Sequence, residues 1–468
     1  MSAARDVPGS RARRTAILGR LAAGQAVKHA GARLSTVGRG EERRREVMDQ
    51  RIGEAITALV DALGLMRGGA MKIGQMLSMI DMGIIPDSHR EQYQAAMARL
   101  RDSAPTVPFG KMRGVIEADL GGRLDTLFTS FDQTPIGAAS IGQVYRATLP
   151  GGRQVAVKVQ YPGVDRAVRA DLKNLGLILR AAKAITPEAD LAGLTQEITE
   201  RIVEELDYEL EAQNQRAAAR LYRDHPFIVV PDVVTALSGP RVLVTDFFDG
   251  KPFSALVDES QEVRNHVGEI IYRFFGGSLW AHGQFSPDPH PGNFLYAADG
   301  KVAFLDFGLY RHLTAGAMDT QASIMRAVLD GDAATLHREM CTSGFILDPE
   351  RVSPELALDY VNEVFWWMAT DEDLVLTSDQ VNASIVAASH PQSRYFDIAR
   401  RQNMPPDYVF VVRMIVMVMA AVGELESRAN WFRIAREWLF DAEPATELGV
   451  LEAQYRSGAT VEPLAVPA

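Results

Sequence analysis

Three oxygen-bearing side chains crowd one short stretch: Asp288 and Asn293 in Asp-Pro-His-Pro-Gly-Asn, and Asp306 at the head of Asp-Phe-Gly. Turn chemistry alone collects Asp and Asn on surface loops, so each residue by itself says little. Their order says more. Asp288 and Asn293 stand in D-x-x-x-x-N spacing, and the apolar run Lys301–Leu305 delivers Asp306 after what reads as a short hairpin. Phosphoryl transfer needs such a set: one carboxylate to accept or orient a hydroxyl proton, and oxygen ligands for magnesium. Asn293 and Asp306 are the expected metal ligands and Asp288 the expected catalytic group.

A cation for phosphate is also at hand. Lys158 closes the alternating run Val155-Ala156-Val157-Lys158, fourteen residues after Val144. Val144 in turn ends a G-x-A-x-x-G-x-V stretch made by Gly137, Ala138, Ala139, Ser140, Gly142 and Val144. Glycines in such a loop let main chain cover phosphates with no side chain in the way. Ala139 occupies the middle position, where glycine is usual; its Cβ restricts positive φ and predicts an altered phosphate pose.

Two further segments carry polar groups at helical spacing. In Gln196–Asn214, Glu204, Asp207 and Glu211 read as an acidic stripe on one helix face. At least one of Glu205, Asp207 and Glu211 is expected to have a functional role, such as orienting the lysine. In Met71–Met79, Lys72 and Gln75 share a helix face, with Gly74 between them thinning the helix for a close backbone approach.

The elements that must position these groups follow from periodicity. Helical spacing runs over about 51–82, 87–101 and 110–128. The texture then changes near Phe131, with strands expected at Gln143–Thr148 and Gln154–Gln160 around Pro150-Gly151-Gly152. A helical zone covers about 166–223. Strands follow at Ile228–Pro231 and Arg241–Thr245, and the remainder is mostly helical. Helices, a β-rich half with one long helix, then a helical half: this order predicts an α+β, kinase-like arrangement.

Bulk properties exclude other classes. The chain has 468 residues, 47% of them apolar, enough for a large core in two or more lobes. A single cysteine, Cys341, excludes an intrachain disulfide framework, and the nine histidines form no H-E-x-x-H pair. Residues 1–40 carry eight Lys/Arg and one acid, a net of +7, on a chain whose total is −11. Such a basic arm suits an anionic surface such as lipid headgroups, and lacks the interleaved aromatics of single-strand nucleic-acid binding. No apolar core of a signal peptide follows its arginines. Val409–Gly423 is apolar but short for a span and contains Arg413, so it is expected to be a buried core helix. The expected location is cytoplasmic, peripheral to a membrane, without a transmembrane segment.

Six segments in order resemble the UbiB/ADCK (AarF-type) family of atypical protein-kinase-like proteins, over roughly residues 50–425. They are KIGQ at 72–75, AASIGQVYRA at 138–147, VAVKVQYPGV at 155–164, EELDYELEAQN at 204–214, DPHPGN at 288–293 and LDFG at 305–308. The resemblance implies a protein-kinase-like two-lobed fold with an N-terminal helical extension. The implied parts are a basic arm over 1–50, the extension over 51–104, an N-lobe over 105–247, a helical C-lobe over 248–440 and a tail over 441–468. It implies ATP and Mg2+ as cofactors, ATPase activity promoted by membrane lipid, and support of isoprenoid quinone biosynthesis, with anionic lipid or a quinone-precursor lipid as partner. Carried over, Lys158 holds phosphates, Asp246, Phe247 and Phe248 form the hinge beside adenine, and Lys72 and Gln75 occlude the site by contacting Glu205 and Asp207. Glu211 is the implied partner of Lys158. Two positions depart from the pattern: Ser286-Pro287 stand where the family writes His-x before the catalytic aspartate, and the hinge has Asp246 where glutamate is commoner. Two other readings compete, a nucleotide-binding pseudokinase without turnover and a small-molecule phosphotransferase.

Overall fold

The computed structural model describes residues 107–459 apart from 140, 171, 173–198, 201, 390–392, 396–397 and 399–405. The basic arm, the extension with Lys72 and Gln75, and Ser140 thus lie outside the described residues. The chain is a mixed helix and sheet protein that divides into two compact units, residues 1–209 with 235–244 and residues 210–234 with 245–468.

In the first unit, helix α1 (Phe109–Leu120) precedes a five-stranded sheet in the order β1 (Ser130–Phe131), β3 (Gly142–Thr148), β4 (Gln154–Gln160), β6 (Val242–Asp246), with β2 (Gly137–Ala139) pairing on β3. The expected helix over 110–128 is broken, because Gly121 takes φ +68° and closes α1. Strands β3 and β4 pair antiparallel through Pro150-Gly151-Gly152, where both glycines have positive φ. Alternation then sorts the faces. Tyr145, Ala147, Val155, Val157 and Val159 are buried, as are Met112 and Ile116 of α1, while Val144, Ala156 and Lys158 occupy the half-buried face.

In the second unit, a four-stranded sheet has the order β5 (Ile228–Val229), β10 (Val302–Phe304), β9 (Phe294–Tyr296), β7 (Lys251–Pro252). A separate ribbon joins β8 (Gln284–Phe285) to β11 (Arg311–His312). Helix α2 (Tyr208–Leu221) starts in the first unit and ends in the second. Helix α3 (Gln261–His282) is capped by Ser260, ends on Gly283 at φ +63° and runs straight into β8. Its centre is buried in one apolar core, to which α4 (Ala315–Asp330), α5 (Ala333–Thr342), α6 (Pro354–Val364), α7 (Ser378–Ser389), α8 (Pro406–Glu424), α9 (Trp431–Leu439) and α10 (Glu447–Arg456) also contribute. Phe274 of α3 stacks on Phe304 of β10, ring centroids 3.7 Å apart, and so seats the sheet on the helix. The apolar run from Val409 is α8, a core helix as expected, with Val411, Met414, Val418 and Val422 buried. Among the described residues no helix is long and apolar enough to cross a membrane.

Strand β5 matters because it flanks the strand that leads to Asp306. Its start is tied by His225, whose buried Nδ1 accepts the N–H of Ile228 at 3.1 Å. Burial first, then the cations Arg456, Arg273 and His282, pushes this imidazole down from 6.5 to about 3. As pH falls below about 6.5 the unfolded chain therefore takes up a proton that the folded chain refuses, and stability drops. Unfolding temperatures measured between about pH 7 and 4 should fall less steeply in His225→Gln than in the wild type. The histidine contributes at most about 1.4 kcal/mol per pH unit, and equal slopes in both proteins would refute its role.

Candidate active site

Two strand pairs bracket the loops that carry the acidic groups. The chain passes from β8 through residues 286–293 to β9, turns, and passes from β10 through residues 305–310 to β11. The β9–β10 register sets Phe294 opposite Phe304, and the N–H of Leu305 donates to Asn293 O at 3.1 Å. Asn293 and Asp306 are therefore neighbours at the open end of the hairpin. Asn293 Nδ2 donates to Asp306 Oδ2 at 3.2 Å. With the amide nitrogen turned to the carboxylate, Asn293 presents Oδ1 as its ligand atom.

Local chemistry shapes the preceding loop. Pro291 opens a 3-10 turn over Pro291–Asn293, and His290 Nδ1 accepts the N–H of Gly292 at 3.0 Å. The N–H of His290 donates to Asp288 O at 2.8 Å, so Asp288 is built into the same turn. Its Oδ1 accepts from Nη2 of Arg413, a residue of α8, at 3.3 Å.

After Asp306 the backbone folds back, with Gly308 N–H donating to Asp306 Oδ1 at 3.0 Å. A Cβ at Gly308 would lie 3.4 Å from that oxygen and 3.8 Å from Oε2 of the buried Glu211. Helix α2 thus brings a second carboxylate beside Asp306, and Asn214 of the same helix donates to Phe307 O at 3.0 Å. Among the described residues no group of three His, Cys, Asp or Glu side chains gathers as a metal site. The hard oxygens of Asn293 and Asp306 fit a magnesium ion that takes its remaining ligands from phosphate and water.

The first unit presents the other candidate groups. Gly137, Ala138 and Ala139 form β2, facing Val144, Gln143 and Gly142 of β3, so the small-residue loop is a hairpin. Val144 pairs with Lys158 across β3 and β4. Lys158 Nζ lies 5.0 Å above the ring of Tyr208, which is buried. Tyr208 also backs the hairpin: its hydroxyl is 3.0 Å from where a Gly142 Cβ would be. Gln160 donates to Leu206 O at 2.8 Å and to Pro240 O at 3.2 Å, which fixes the approach to Tyr208.

A family model described as the ABC1 atypical kinase-like domain matches residues 99–340. The chain belongs to this family. It is 34% identical over 337 residues to the mitochondrial atypical kinase COQ8B of Danio rerio, covering 71% of this chain and 53% of that protein. With the mitochondrial atypical kinase COQ8 of Saccharomyces cerevisiae the identity is 32%, over 65% of this chain and 60% of the relative. The chain thus spans only a little over half the length of these relatives. A solved structure, the complex of Rv3197 with erythromycin from Mycobacterium tuberculosis, superposes with a TM-score of 0.61 at 31% identity, covering 84% of this chain and 98% of that one. The α+β, kinase-like fold and the UbiB-type membership expected from the motifs both hold.

Within this ABC1-type domain, two expectations change. The acidic stripe is not one helix face: the chain turns at Leu206 and Asp207, and Asp207 caps α2 by accepting the N–H of Glu209 at 3.0 Å. Glu205 belongs to the helical segment before that turn, Glu211 to the helix after it. Ala139 needs no positive φ, because it sits in a strand. At the expected hinge position, the N–H of Asp246 donates to Asp232 O at 2.9 Å. The motif reading passed over Tyr208, Gln160 and Asn214, although all three stand within or beside the quoted segments.

Gly142 is required by the fold itself. A Cβ there would lie 2.2 Å from Val159 O, whereas one at Gly137 meets nothing closer than Val144 Cβ at 4.0 Å. Gly142→Ala should therefore cost about 1–3 kcal/mol of stability through overpacking, and Gly137→Ala less than about 0.5 kcal/mol. Denaturant unfolding of both variants measures the difference; equal costs would show that the close approach is not constraining.

Proposed function

We propose that this chain binds Mg-ATP and hydrolyses or transfers its terminal phosphate, as an atypical kinase or ATPase that supports isoprenoid quinone biosynthesis at a membrane surface. The observation that carries this reading is the Asn293–Asp306 contact at the open end of a hairpin, in a chain that belongs to the ABC1 atypical kinase-like family. Asn293 and Asp306 are the proposed magnesium ligands, and Asp288 the group that orients the attacking hydroxyl or water. Magnesium bound there would offset charge building up on the phosphates. Lys158 is the proposed phosphate contact. The hairpin that Gly137–Ala139 forms with Gly142–Val144 is the proposed phosphate cover, and Val144, Asp246, Phe247 and Phe248 the adenine contacts.

Glu211 lies beside Gly308, in the loop that follows Asp306, so its proposed role is on the metal side; its pairing with Lys158 is carried by the resemblance alone. Lys72 and Gln75, with Glu205 and Asp207, are proposed to regulate access, and the basic arm to meet anionic lipid. The quinone role rests on the family resemblance.

The reading is tested by ligand and by turnover. Because a ligand that prefers the folded state raises its apparent stability, Mg-ATP and Mg-ADP should raise the unfolding temperature of the wild type but not of Asp306→Asn. ADP release, measured with and without vesicles containing anionic lipid, should be stimulated by the lipid and fall at least tenfold in Asp288→Asn. A Mg-ATP shift without any ADP release would favour the pseudokinase reading, to which Ser286 in place of histidine points.

A further inference from the structure

Arg413 is the one charged residue in the apolar run from Val409 to Gly423, and nothing in the reading above uses it. Its side chain is 16% exposed. A guanidinium so far removed from water is costly unless a charge or hydrogen-bond partner compensates it. Its Nη2 donates to Asp288 Oδ1 at 3.3 Å, and that carboxylate is itself only 18% exposed. Its Nε faces Met417 Sδ, one turn further along α8, at 3.4 Å. The pair joins residues 125 positions apart.

Both partners stand on firm ground. Helix α8 and the turn after it pack closely on α3: a Cβ at Gly268 would lie 2.5 Å from Ser427 Cβ of the turn and 3.7 Å from Val422 Cγ1 of α8. Gly423, at the end of α8, comes within 2.6 Å of Ser378 N by the same measure. Helix α3 leads through Gly283 into β8, and β8 into the Asp288 loop.

We propose that Arg413 is a positioning residue that fixes the Asp288 carboxylate from α8. This inference rests on the proposed role of Asp288 in turnover. The contact to Oδ1 restrains the rotation of the carboxylate about its Cβ–Cγ bond and ties the loop to a buried helix. The effect falls on the reacting group and not on nucleotide binding.

The test combines kinetics with a stability cycle on the full chain. In Arg413→Gln, ADP release at saturating Mg-ATP should fall at least tenfold while KM for ATP stays within about twofold. Arg413→Lys, which keeps the charge, should recover part of the loss. Arg413→Gln added to Asp288→Asn should lower neither ADP release nor unfolding temperature much further, since the pair is already broken. Unchanged ADP release in Arg413→Gln, or unfolding-temperature losses that add fully in the double variant, would overturn the proposal. A wild type that shows a Mg-ATP shift but releases no ADP would refute the turnover reading instead, and the stability cycle would then decide the pairing by itself.

Discussion

The antiparallel register of β9 and β10 is the constraint on which the candidate site depends. With Phe294 opposite Phe304, the residues just outside the paired ends are Asn293 and Leu305, and Asp306 follows directly. A slip of one residue would send every side chain of the ribbon to its other face. Several devices prevent it: Gly300 at φ +85° in the turn, β5 pairing parallel along the outer side of β10, and Phe274 stacked on Phe304. The charged groups thus inherit their placement from apolar packing and main-chain hydrogen bonds.

The same economy holds deeper in the second unit. Helix α3 is buried through its middle and carries Arg273, fully enclosed, with Glu269, Glu437 and Glu452 around it. One guanidinium thereby ties α9 and α10 to α3. Removing one partner from such a cluster strands buried charge, which costs more than a surface ion pair could return. The helix that leads into the Asp288 loop is thus clamped by its own core and by the C-terminal helices. In the first unit, Gln160, Tyr208 and Gly142 do comparable work around Lys158, through two hydrogen bonds, a ring and a missing Cβ.

Much of the site was legible in residue types and spacing, for identifiable reasons. Strands 143–148 and 154–160 show in β-rich runs on either side of a Pro-Gly-Gly turn, and the Asn293–Asp306 hairpin shows as two apolar runs around a glycine turn. The acidic segment was misread as one face because a capping aspartate and a helical aspartate look alike in a periodic pattern. Asp207 satisfies a main-chain N–H at the start of α2, and that demand breaks the stripe. Tyr208 was passed over because a tyrosine inside an acidic run carries no signal of what its ring will lie beneath.

The order of the elements, the turns and the identity of the oxygen and nitrogen donors were set by the sequence alone, since hydrogen-bond rings, alternation and glycine φ angles are local properties. Partners were decided only by tertiary structure. That Arg413 meets Asp288, that Gly142 must leave room for Val159 O, and that Glu211 comes beside Asp306 depend on how helices rotate and seat in a close-packed interior. A helix buries whichever face its neighbours leave for it, and no spacing within the helix specifies what lies on the other side.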